Sequence, residues 1–257
     1  RVPGGRSIQG LSVDVATVSD GRADRISAWL NGMMLGSAPV HNSGITNLKV
    51  RARDGLTNAM NNDTVQPHLD DDATAWAAHW IDARRTTLPK RLCGPGPTED
   101  QKVALRRAAC AAPDHGQRRP WRCIEIGADQ RALLGEWFAQ ALLERDPHAN
   151  AAEQAQAREK AHRAPWLLLL VCRVRGDDPE VPPAERLLSA GCAVQNLLLM
   201  ATAMGLGSAL TSGKAMASRA LREGVGLHAD EDALCFVNVG HVKAWRAAHA
   251  RPQPLGR

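Results

Sequence analysis

Residues 189–213 read SAGCAVQNLLLMATAMGLGSALTSG: a run of leucines and methionines, a glycine-broken turn, and then Thr211, Ser212 and Gly213. The run belongs to the longest helical pattern in the chain, Pro183 to Met204. Gly205 follows it as the residue after a helix C-cap would, because glycine takes the left-handed conformation at no steric cost. The leucines therefore predict a core helix that needs no membrane, followed by a tight turn that leads into Leu210, Thr211 and Ser212.

Working outward, WLLLLVC at 166–172 is bounded by Pro165 and a charged loop. So short an apolar run reads as a strand buried on both faces, and it falls far below the ~20 residues that span a bilayer. Further strands are expected at Trp121 to Gly127 and Ala233 to Gly240. Helices are expected in DDDATAWAAHWIDARR at 70–85, from the Thr98–Gln101 capping box to about Ala111, and at Asp129 to Arg145. Two more are expected at Ala151 to His162 and Ala215 to Glu223. Strands separated by helices predict an α+β fold, a layered sheet with helices on its faces.

The 257 residues suit one domain with an appendage. Residues 71–257 read as that domain. Residues 1–70 read as an N-terminal extension, partly disordered around NNDTVQPHLDDD, with one possible β-hairpin between Leu11 and Asn31. The net charge of +5 is scattered among acids, so no basic stripe for nucleic acid is formed. Six cysteines without a CxxC pair fit neither a zinc site nor a disulfide framework, and they predict reduced thiols in a cytoplasmic protein. No signal peptide is visible.

Catalytic motifs are absent: there is no GxSxG, HExxH, Walker loop or GxGxxG after a strand. Three polar clusters remain at element boundaries: Arg84-Arg85-Thr86 with Lys90 and Arg91, Ala112-Pro113-Asp114-His115 up to Pro120-Trp121, and Leu210-Thr211-Ser212-Gly213. Paired guanidinium groups with a hydroxyl suit a phosphate. The alternative for the arginines is a solvated helix end, and for residues 211–213 a polar turn. Cys192 reads as a small buried residue, and Met200 and Met204 as helix packing.

RRT at 84–86, APDH followed by PW, SAGCAVQNLLLMATAMGLG and FVNVGHV together resemble the nitroreductase family of FMN enzymes, especially its short bacterial NAD(P)H nitroreductases, over about residues 76–245. The resemblance implies a nitroreductase-like layered fold with a mixed, mainly antiparallel sheet flanked by helices, in a homodimer with its flavin sites at the interface. Arg84, Arg85 and Thr86 match the segment that holds the ribityl chain and phosphate, with Arg85 the candidate to stabilise charge near the flavin N1 and O2. His115 matches a histidine that approaches the FMN held mainly by the other subunit. Leu210, Thr211 and Ser212 match the segment completing the site, and Pro120 and Trp121 end a loop beside the isoalloxazine.

The implied reaction is a ping-pong transfer of two electrons from NAD(P)H, as co-substrate, to a small-molecule acceptor such as a nitroaromatic or quinone. Enone reduction, dehydrogenation and flavin binding without turnover stay open as alternatives. The chain departs from the pattern in a spacer between Arg85 and Arg91 two residues longer, and at Ala111 and Arg119, which replace Arg and Gln. Thr211 stands where some relatives carry a basic residue.

Overall fold

The computed structural model describes residues 71–176 and 178–245; the extension at 1–70 and its expected hairpin lie outside the described residues. In chain order the elements are α1 (Asp71–Ala83), β1 (Leu92–Cys93), α2 (Glu99–Cys110), β2 (Trp121–Glu125), α3 (Arg131–Arg145), α4 (Ala151–Glu159), β3 (Trp166–Arg173), α5 (Pro183–Ala203), β4 (Gly207–Thr211), α6 (Arg219–Gly224) and β5 (Glu231–Val242). The strands lie in the order β1-β5-β3-β2, with β4 also paired to β5, and every pairing is antiparallel.

β3 sits in the middle because it has no solvated face: every residue from Trp166 to Cys172 is buried. Burying each leucine is worth about 2 kcal/mol, so this strand is stable only between two layers. One face, through the row Ile124, Leu169 and Phe236, packs on Leu134 and Trp137 of α3 and Leu221 of α6. On the other face α2 and α5 pack together, and α5 lies against β2 and β3. The antiparallel sheet between helical layers agrees with the expected fold.

Local chemistry sets several element ends. Thr98 Oγ1 accepts from the Gln101 N–H at 3.3 Å, and the Gln101 side chain accepts from the Thr98 N–H at 2.9 Å, the reciprocal box that opens α2. Gly205, at φ 70°, ends α5 as expected. The helix expected at Ala215–Glu223 is instead broken: a short 3-10 turn at Lys214–Ala217 is followed by α6. Ser218 is the physical reason, because it has extended backbone and its side chain accepts from the Leu221 N–H at 3.2 Å, so it caps a new helix instead of continuing an old one.

Buried charges are fully engaged in carbonyls or carboxylates. Arg131 donates to the carbonyls of Ile126, Ala161 and Ala164. Arg186 donates to those of Val181, Arg173 and Asp178 at 2.8, 3.3 and 2.9 Å. Arg122 makes two bonds to the buried Glu231, at 2.7 and 2.8 Å. Burial pushes the Glu231 carboxyl up, but the Arg122 charge and the His228 N–H more than offset it and hold the group below the ordinary carboxylate range. All six cysteines are free, and burial pushes the Cys172 and Cys235 thiols up to about 11, so neither is a thiolate at neutral pH.

Candidate functional site

β4 brings two of the three sequence clusters together. After α1 the chain runs extended, Thr86 bridges Ser208 in parallel, and the Thr87 N–H donates to the Ser208 carbonyl at 2.8 Å. Gly207 permits this close approach: a Cβ there would stand 2.6 Å from Val242 and 2.8 Å from Leu92. The Arg84-Arg85-Thr86 and Leu210-Thr211-Ser212 clusters, more than 120 residues apart in sequence, thus share one sheet edge.

Among the described residues, that edge is open further along. Because Ser208 directs its carbonyl outward to Thr87, the ladder alternation points the peptide groups of Leu210 outward as well, past the end of the bridge. The same alternation turns Leu210 and Thr211 to opposite faces of the sheet. Leu210 is 45% exposed and shares its row with Val237, whereas Thr211 shares a row with Phe236 on the opposite face. Leu210 offers backbone and an apolar side chain, and Thr211 offers a hydroxyl from the other side. Thr211 Oγ1 lies 3.0 Å from Nδ2 of the buried Asn238.

Arg85 is only half-satisfied. Its Nη1 donates to the carbonyls of Asp82 and Arg84, but its Nε is buried and has no hydrogen-bond partner among the described residues. A guanidinium donor orphaned beside an open strand edge is an unmet demand for an acceptor, and phosphate or carbonyl oxygens meet it best. The residues present therefore fit an anionic, acceptor-rich ligand, and no metal: among the described residues no group of three or more His, Cys, Asp or Glu could hold one.

His115 lies elsewhere. Its Nδ1 is 2.9 Å from Glu185 in the first turn of α5, and both side chains are about half exposed. The pair stands at a cavity of 420 Å³ lined also by Asp114, Pro120, Leu188, Ser189 and Cys192. Cys192, expected to be buried, is half-exposed at this wall. Trp121, at the end of the same loop, belongs to the core. Thr86 and Trp121 are separated by four strand spacings and, by register, by six residues along the strands, which is roughly 25–30 Å. The segment that carries Arg85 and the loop that carries His115 thus lie at opposite edges of the sheet.

The apolar surface expected on Ala190–Met204 is largely consumed within the chain, since Ala190, Ala193, Val194, Leu197, Leu198 and Ala201 are buried. What stays uncovered is the stripe Leu188, Gly191, Gln195, flanked by the partly buried Cys192 and Leu199. No helix among the described residues is long and apolar enough to cross a membrane.

Comparison with known proteins agrees with this architecture. A protein of Haemophilus influenzae named "Putative NAD(P)H nitroreductase" is 32% identical over 151 residues, covering 59% of this chain and 81% of the relative. The like-named YdjA of Escherichia coli K12 is 32% identical over 150 residues, 58% of this chain and 80% of the relative. Among solved structures, a nitroreductase-like family protein from Bacillus cereus superposes with a TM-score of 0.60 at 21% identity, over 68% of this chain and 90% of that one. A nitroreductase with bound FMN from Desulfitobacterium hafniense (TM-score 0.51, 18% identity, 68% and 93%) and an iodotyrosine deiodinase bound to FMN and 3-iodo-L-tyrosine (0.53, 18%, 70% and 97%) share the fold. The nitroreductase family model matches residues 81–241, and with the sheet, the β4 edge and these relatives in agreement, the chain belongs to the nitroreductase family.

Proposed function

We propose that this protein is an FMN-dependent oxidoreductase that moves two electrons from NAD(P)H to an electron-poor small molecule, a nitroaromatic or a quinone, in a ping-pong cycle. The observation that carries this reading is the orphaned Nε of Arg85 beside the open edge of β4. Bound FMN would supply the hydride chemistry, which no side chain of the site could supply. Arg84 and Arg85 would hold the phosphate and the electron-rich ring edge, Thr86 and Thr211 would add neutral donors, and Leu210 and Ser212 would line the ring through backbone and contact. Arg85, a permanent cation with an unspent Nε, would stabilise negative charge on the ring edge.

The placement of Arg85 and His115 at opposite edges of the sheet supports a homodimer in which His115 of one copy completes the site of the other. The uncovered stripe on α5 is a surface such a contact would bury. Six free thiols support a cytoplasmic setting. Residues 71–257 would form the catalytic domain.

The test is visible absorption of the purified protein with added FMN, followed by anaerobic titration with NADH and with NADPH and reoxidation by a nitroaromatic. Flavin uptake, bleaching by at least one nucleotide and recovery with the acceptor are expected. A protein that takes up no FMN overturns the reading; one that takes it up but is not bleached by either nucleotide keeps the cofactor and overturns the donor.

A further inference from the structure

Asn238 is 3% exposed in the run Phe236-Val237-Asn238-Val239, the one carboxamide in an apolar stretch of β5. A buried amide without partners is strongly disfavoured, so its bonds identify what it is for. Its Nδ2 lies 3.0 Å from Thr211 Oγ1, 3.3 Å from the Ala209 carbonyl and 3.4 Å from the Phe236 carbonyl. Two of these three neighbours can only accept, so the end of the side chain that faces them must be the NH2 and not the oxygen.

The direction of the bond to Thr211 follows. One N–H of Asn238 enters a lone pair of Thr211 Oγ1, and the other is shared between the carbonyls. A threonine hydroxyl carries one proton and two lone pairs, and can ordinarily turn to donate or accept. With Asn238 holding a lone pair, the hydroxyl proton is directed away from the amide, towards whatever stands at the partly exposed side of Thr211.

We propose that Asn238 is a positioning residue for the cofactor site, locking the Thr211 hydroxyl as a donor to an acceptor oxygen of the flavin nucleotide. This rests on the flavin reading above. The fold supports it independently: Ala209, Thr211 and Asn238 point to one face of the sheet, and the diagonal between neighbouring strands is the spacing at which the two side chains meet. The lock adds no charge. It removes the alternative in which the hydroxyl turns inward to satisfy a strand carbonyl and offers a ligand only lone pairs.

A double-mutant cycle on FMN affinity, read by quenching of flavin fluorescence and by the position of the flavin absorption bands, tests this. Thr211→Val is expected to weaken FMN binding about fivefold to tenfold, and Asn238→Leu by a similar factor. Asn238→Leu introduced on top of Thr211→Val should cost nothing further, because its only route to the ligand is gone. Thr211→Ser, which keeps the hydroxyl, should bind like the unaltered protein and remain sensitive to Asn238→Leu. Asn238→Ser serves if the leucine variant does not fold. Equal losses from Asn238→Leu with and without Thr211 overturn the proposal while leaving the flavin reading intact, as does an Asn238→Leu protein with unchanged affinity. An unaltered protein that binds no FMN fails at the earlier step and takes both readings with it.

Discussion

The corner of the molecule around Arg186 and the edge around Arg85 use the same side chain to opposite ends. Arg186 lines the cavity beside His115, yet its donors are spent on the carbonyls that close the loop before α5. Arg85 is less deeply buried and keeps its Nε unspent. Burial of an arginine therefore says little about function; what its donors touch decides whether it holds the fold or waits for a ligand.

The strongest way to break this contrast is Arg186→Met. It strands the carbonyls that the buried Arg186 gathers from the loop before α5 and should cost about 4 kcal/mol of stability in urea unfolding, with FMN affinity of the folded fraction unchanged. Arg122→Met is the intermediate case, because it leaves the buried Glu231 unpaired. A loss of about 2–3 kcal/mol is expected, below the full cost for a pair with no exposure.

The same pair sharpens the contrast through pH. The Glu231 carboxyl is held below its ordinary range in the folded protein, so its contribution is complete above the ordinary carboxylate value and is lost as pH falls through the lowered one. Stability should fall more steeply below about pH 4.5 in the unaltered protein than in Glu231→Gln. Parallel acid-unfolding curves would show the pair to be inert.

Arg85→Met should do the reverse of Arg186→Met. FMN binding is expected to weaken about 30-fold while stability stays within about 0.5 kcal/mol; a large loss of stability with affinity preserved would make Arg85 one more structural arginine. The smallest and most specific effect is complementation. A hybrid dimer of one Arg85→Met chain and one His115→Ala chain should recover about half of the activity, since one of its two sites then holds both residues if they act across the interface. No recovery would place them in the same chain's site, and a fully active His115→Ala homodimer would make His115 idle.

Much of the fold could be read before any coordinates. Trp166–Cys172 was legible because a strand with two buried faces leaves no polar alternation, and α2 and α5 carry their own start and stop chemistry in Thr98, Gln101 and Gly205. β4 was not legible: Gly207–Thr211 mixes small and polar residues, and its strand identity comes from pairing with β5. The break at Ser218 was hidden because a serine inside a helical pattern and a serine that caps a new helix look alike until its partner is known. The site residues came from a resemblance, and only β4 explains why Arg85 and Leu210 belong together. Asn238 left one signal, a lone carboxamide among apolar neighbours, but nothing in the sequence says that it reaches Thr211.

β5 pairs with β1, β3 and β4, so every sheet contact except β2 with β3 and the Thr86 bridge waits for residues 231–242. During synthesis at 5–20 residues per second, roughly 3–12 s separate the emergence of Arg173 from that of Glu231. For that interval β3, the most apolar strand, has only β2 beside it, and its other edge is a template on which a neighbouring chain could pair.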